Sequence, residues 1–147
     1  MSNLPVNNSK FALKPSSENE TCYIVDIETD GLYDQATKVH CIVLHDVNSG
    51  TTLPFDPDSI DSALEHLSCA DILIGHNICF YDIPVLKKLY PDVDINARII
   101  DTLICTRLIW PKEVLNELDI EQYPQVPTNL RGSASLKAWG WRLASHK

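Results

Sequence analysis

Two carboxylates two residues apart close a short apolar run: Asp26 and Glu28 follow Cys22-Tyr23-Ile24-Val25 and lead into Thr29-Asp30-Gly31-Leu32. In a strand, side chains at i and i+2 share a face, so these two acids stand side by side. Neighbouring negative charges repel, and a hard divalent cation such as Mg²⁺ is the natural counter-charge for carboxylate oxygens. The pair also reads as a strand ending in water, with Thr-Asp-Gly-Leu as its turn. A third acid bears on the choice. Ile72-Leu73-Ile74-Gly75 has the form of a buried strand, and a brief loop from His76 to Tyr81 carries the chain to Asp82. Asp82 opens a helical pattern of Ile83, Val85, Leu86 and Leu89, with Pro84 tolerated in the first turn. It fits a helix N-cap, and it equally fits a metal-binding carboxylate at the mouth of a crevice. The two roles are compatible.

The elements around these acids decide whether they meet. Residues 22–28, 39–47 and 51–55 read as strands joined by short turns, with Asp46-Val47-Asn48-Ser49-Gly50 turning between the last two. A helix is predicted over 59–67 from the spacing of Ile60, Ala63, Leu64 and Leu67, with Asp58 as its cap. A strand at 72–75, a helix at 83–90, a strand at 98–101 and a helix at 103–110 follow, the last stopped by Pro111. Asp101 reads as a capping acid for the 103–110 helix, and Ser133 as the cap of a final helix through Leu136, Ala138 and Trp139. Residues 119–132, with Pro124, Pro127 and Gly132, read as a loop free to move or to meet a partner. Three meandering strands followed by crossover helices predict an α/β fold: a mixed sheet of order 3-2-1-4-5 with helices on both faces. Strands one and four are then parallel neighbours, and the crevice beyond their carboxyl ends is where open α/β sheets bind ligands. Asp26, Glu28 and Asp82 all map there.

The residues carry a resemblance. Asp26-Ile27-Glu28-Thr29-Asp30-Gly31-Leu32 resembles the first motif of the proofreading exonuclease superfamily, which has a ribonuclease H-like fold and four metal-binding carboxylates. Asn77 followed by Asp82 resembles its second motif. Further segments are similar to the 3′–5′ exonuclease domain of family A DNA polymerases from short-tailed bacteriophages. They are Thr37-Lys38-Val39-His40-Cys41, Tyr81-Asp82, Ile100-Asp101-Thr102-Leu103 with Arg107-Leu108, and Ala138-Trp139-Gly140-Trp141-Arg142-Leu143. The resemblance implies two Mg²⁺ or Mn²⁺ ions, with Asp26 bridging both, Glu28 on the ion that activates water and Asp82 on the second. It implies substrate contacts at Leu32, as a wedge between the last two bases, and at Asn77 and Thr29; for Leu32 and Asn77, turn packing and loop capping are the structural alternatives. It implies that Asp101 is not a metal ligand. The implied substrate is the 3′ end of single-stranded DNA.

The family's fourth carboxylate belongs to a Tyr-x-x-x-Asp or His-x-x-x-x-Asp motif in a later helix, and no such motif follows Trp139 here. The expectation is therefore a flexible arm over 1–20 and a C-terminally incomplete exonuclease domain over 21–147. The chain is then a fragment or one piece of a split gene, with a separate polymerase polypeptide supplying the rest. The rival from another class is a non-catalytic, polymerase-associated or nucleic-acid-binding module with an unfinished site. Ribonuclease activity is a third reading.

Composition bounds these readings. The 147 residues carry a formal net charge of -8, against duplex binding by bulk counterion release. The charge is uneven: residues 1–80 hold 12 acids and 3 Lys/Arg, whereas 81–147 hold 8 acids and 9 Lys/Arg. The five cysteines show no C-x-x-C spacing and fall mostly in apolar runs, which predicts buried thiols of a reducing compartment. The polar start predicts no signal peptide or membrane span, and a location in the cytoplasm, that of the host cell if phage-encoded.

Overall fold

The computed structural model describes residues 20–143. The expected arm over 1–20 lies outside the described residues apart from Glu20. That residue is tied in: its carbonyl accepts from Asn48 Nδ2 at 2.7 Å and its carboxylate lies 3.8 Å from Arg98.

β1 (Cys22–Thr29), β2 (Val39–Asp46) and β3 (Thr52–Phe55) form the antiparallel meander, and Gly50, at φ 71°, makes the tight turn before β3. α1 (Ile60–Ser68), β4 (Ile72–Gly75), α2 (Asp82–Leu89), β5 (Arg98–Asp101) and α3 (Thr102–Ile109) complete the α/β part. The sheet has the order β3-β2-β1-β4-β5, with β4 parallel to β1 and β5 parallel to β4.

Period-two alternation sorts β1 cleanly. Tyr23, Val25 and Ile27 point into the main core, which they share with Ile42 and Leu44 of β2, Ala63 and Leu67 of α1, and Val85 and Leu86 of α2. Ile24, Asp26 and Glu28 point to the opposite face and are exposed. On that face Cys22, Ile72 and Ile74 make a smaller cluster with Val47 and Ile100.

Beyond β5 the chain differs from expectation. Pro111 stops α3 but also starts α4 (Lys112–Glu121), because proline lacks only a donor that a first turn leaves unused. A 3₁₀ turn at Thr128–Leu130 and α5 (Leu136–Arg142) follow. The 119–132 segment is not a free loop. Asp119, fully buried on α4, takes Arg142 Nε at 2.7 Å and Nη2 at 2.8 Å, and also the Gly132 amide at 2.8 Å. The Gly132 bond ties the two ends of the segment together, and the buried ion pair fastens α5 to α4, with the Arg142 guanidinium 4.9 Å from the Trp139 ring centroid.

Three local expectations are also corrected. α5 is capped by Ser135, whose Oγ accepts from the Ala138 amide, and not by Ser133, whose Oγ instead donates to Ser135. Asp58 does not cap α1; the turn before it is held by Asp56, which accepts from Ser59 Oγ at 2.7 Å. Of the five cysteines only Cys22 is buried, while Cys69, Cys79 and Cys105 are exposed, at a helix end, in a loop and on the outer side of α3. Among the described residues no helix is long and apolar enough to cross a membrane.

Candidate functional site

β1 extends past its parallel neighbour. The last β1–β4 pair is Ile24 with Ile74, and β4 ends one residue later at Gly75. The final turn of β1 is thus unpaired on that side, and the start of α2 fills the space. Gly75 makes the bend possible: a Cβ there would sit 2.7 Å from that of Ile78, whose buried side chain folds back under the loop. Asn77, at φ 69°, then turns the chain in the left-handed region that Asn tolerates. Its carbonyl accepts from the Phe80 and Tyr81 amides at 3.0 Å each.

Asp101 organises this loop from below. Its carboxylate accepts from the Asn77 and Cys79 amides at 3.1 Å each, and caps α3 through Leu103 and Ile104. Burial works to raise its pKa, but these four N–H donors outweigh burial and hold it below the ordinary value. An acid so occupied is a structural anion. Asp30 is another: Thr37 and Lys38 amides and the Thr37 hydroxyl converge on it and lower it to about 2.

Asp82 is different. Tyr81 occupies the N-cap position, so Asp82 is the first helical residue and makes no side-chain capping bond. The N-cap alternative therefore does not describe it. Its side chain is buried at 5% exposure and turned toward β1. Burial pushes its carboxyl up to about 6; the Asp26 charge adds to this, while its own amide and that of Ile27 oppose it. Asp26 reaches the open face but is partly desolvated near its base, and that first and Glu28 second raise its pKa. Asp26 is thus coupled to Glu28 along β1 and to Asp82 at the start of α2, and among the described residues no ion pair relieves Asp26 or Asp82. The three are not drawn into a closed cage: among the described residues no set of three His, Cys, Asp or Glu side chains forms a ready metal cluster. The donor chemistry is nonetheless hard oxygen throughout and carries uncompensated charge, which fits Mg²⁺ or Mn²⁺ and not a soft ion.

A hydroxyl lock fixes Asp82 against β1. Tyr81 Oη and Thr29 Oγ1 lie 2.8 and 2.7 Å from the Gly31 carbonyl oxygen and 2.5 Å from each other, so one hydroxyl donates to the carbonyl and the other to its fellow hydroxyl. Thr29 is therefore engaged in positioning the loop. Leu32 projects outward at 75% exposure, so it does not pack on the core and is free to meet a ligand. His76 hydrogen-bonds Thr102 at 3.0 Å, and burial lowers its pKa.

The sequence reading passed over one group. Arg107, Lys112 and Arg131 line a cleft of about 380 Å³, and Arg107 is shared with a second cleft of about 430 Å³ that reaches His76 and Asn77. In the sequence Arg107 reads only as part of a motif and Arg131 only as part of a loop, and the surplus of bases after residue 80 does not by itself gather them.

Comparison with known proteins adds to this geometry. Residues 23–139 match the model of the RNase_H superfamily. The chain is 29% identical over 135 residues to the DNA-directed DNA polymerase of Escherichia phage T7 and 30% identical to that of Enterobacteria phage T3, with 84% of this chain covered in each case. It spans 19% of the length of either relative.

Proposed function

The chain belongs to the RNase_H superfamily, and on that premise we propose that from residue 21 onward it forms part of a metal-dependent 3′–5′ exonuclease domain. It acts on 3′ ends of single-stranded DNA, in the proofreading context of a phage-type DNA polymerase. The observation that carries this reading is the electrostatic coupling of Asp26 and Asp82, with Glu28 beside Asp26 on the open face of β1 and no ion pair among the described residues to relieve them. The coupling disfavours ionisation of Asp26 and Asp82, and cations would relieve it.

These three carboxylates are the groups that would hold the ions. Divalent Mg²⁺ or Mn²⁺, when bound, supplies Lewis-acid stabilisation of phosphate charge and lowers the pKa of water. The chain's own residues supply position. The Tyr81–Gly31–Thr29 lock keeps Asp82 facing β1. In this reading Leu32, exposed just beyond β1, would contact terminal bases, and the positive φ of Asn77, which turns the loop before Asp82, supports a role for that loop beside the substrate.

The test is release of nucleotides from a 5′-labelled single strand with Mg²⁺ or Mn²⁺, alone and mixed with a polymerase polypeptide. Stepwise shortening from the 3′ end is expected, and Asp26→Ala is expected to abolish it with the fold retained by circular dichroism. An unchanged rate in Asp26→Ala defeats the site assignment. Equal degradation of RNA redirects the substrate to ribonucleotides.

One observation favours a second reading, a non-catalytic nucleic-acid-binding module: the three acids are not gathered into a closed metal cluster among the described residues. Binding of Mn²⁺ and of a single strand without shortening, even with the polymerase polypeptide present, is the outcome that selects it.

A further inference from the structure

We propose that the cleft between α3, the start of α4 and the 129–133 segment is a binding site for the phosphates of a single nucleic-acid strand, upstream of the 3′ end held at the carboxylates. The inference rests on the exonuclease reading for the position of that 3′ end, but not for the cleft's own chemistry.

Three cations from three separate elements converge here: Arg107 from α3, Lys112 from the first position of α4, and Arg131 from the segment before α5. Asn129 and Ser133 add neutral polar groups, and no Asp or Glu lines the cleft. In a chain of net charge -8, a cleft lined by three cations and no acid stands out, although the Arg131 charge is also felt by Asp119 behind it. The nearest buried acid, Asp119, is consumed by Arg142 and the Gly132 amide. Arg107 and Arg131 both line the cleft, and phosphate is the anion that a guanidinium's fork geometry suits. Gly132 holds the wall open: at φ 71°, a Cβ there would lie 3.0 Å from the Lys112 carbonyl. Trp110, also on the wall, offers a ring against which a base can stack.

Placement points to a strand, not a free phosphate ion. Arg107 belongs both to this cleft and to the neighbouring one, which runs to His76 and Asn77. Arg107 and His76 line the same cleft. His76 and Asn77 begin the loop that ends at Asp82. The two clefts share Arg107, Ser133 and Ala134, and the second reaches the start of the loop that leads to Asp82, an order that suits a polyanion held by ions at one end and by Arg/Lys along its length.

The test uses the full chain with Ca²⁺, a hard cation that carboxylates hold, and fluorescence anisotropy with 5′-labelled oligothymidylates of three and eight nucleotides whose linkages are phosphorothioates. Arg107→Gln with Arg131→Gln is expected to weaken the octamer about tenfold and to reduce the salt slope by about 1.4, the value for two single-strand phosphate contacts. The trimer should change less than about twofold, since it does not reach the cleft. Lys112→Gln, at an exposed position, gives a smaller loss of the same kind and serves if the double variant does not fold. An unchanged octamer affinity and salt slope overturns the proposal, and an equal loss for trimer and octamer overturns the upstream placement. If the octamer loss appears but the wild type never shortens a strand with metal, the cleft stands and the exonuclease reading fails.

Discussion

Asp82→Asn should stabilise the metal-free protein at neutral pH. In the folded state the Asp82 carboxyl is pushed from 3.8 up to about 6, chiefly by burial and then by the Asp26 charge. A raised acid pKa means the folded state binds more protons than the unfolded chain between those values. Stability therefore falls as pH rises through that window. The penalty is absent below pH 3.8, grows up to about pH 6, and is complete above it. A shift of about two units, at 1.36 kcal/mol each, corresponds to about 3 kcal/mol. Asn keeps an acceptor for the opposing amides and gives Asp26 a donor, but pays its own desolvation, so a net gain of about 2 kcal/mol is expected at pH 7. Urea unfolding in EDTA at pH 4, 5, 6 and 7 measures it. The variant and wild type should converge near pH 4 and separate above pH 6. Adding Mg²⁺ should close the gap, because only the wild type then gains binding energy. A variant that is less stable at pH 7, or whose gain is the same at every pH, refutes the reasoning.

Other perturbations probe the supports. Tyr81→Phe removes one hydroxyl of the Tyr81–Gly31–Thr29 lock and is expected to cost about 1 kcal/mol of stability while lowering nuclease rate more than substrate affinity, as read by thermal melts and steady-state kinetics. Gly75→Ala drives a methyl to 2.7 Å from Ile78 Cβ and should cost about 1–3 kcal/mol in urea unfolding. Asp119→Ala leaves Arg142 buried and unpaired, an expected loss of about 3–5 kcal/mol by the same measurement.

What the sequence made legible follows from the range of the forces involved. β1 alternates between core and open face over eight residues, and a period of two is a local property that needs no tertiary knowledge. The side-by-side placement of Asp26 and Glu28 was readable for that reason. The sheet order followed from the succession of turns and crossovers, and chain connectivity restricts those to few solutions. Asp101 as a cap was legible because a capping bond spans two or three residues.

The place of Asp82 near the end of β1 followed from the sheet order, but the burial of Asp82 and of Asp119 lies beyond that range. Both are acids at positions where a surface carboxylate is the ordinary expectation, and both are buried. Their partners are 55 and 23 residues away in sequence, Ile27 for the first and Arg142 for the second, and no periodicity links such positions. The chain treats the two buried charges in opposite ways. Asp119 meets a bidentate arginine and an amide, so its pKa is lowered despite burial, and α4 and α5 are fastened by it. Asp82 meets two opposing amides and another carboxylate, so its pKa rises and the fold is weakened by it. A buried acid that is satisfied reads as architecture. One left unsatisfied, beside a second acid and next to a crevice, is a cost that folding alone does not explain, and a ligand of opposite charge accounts for it.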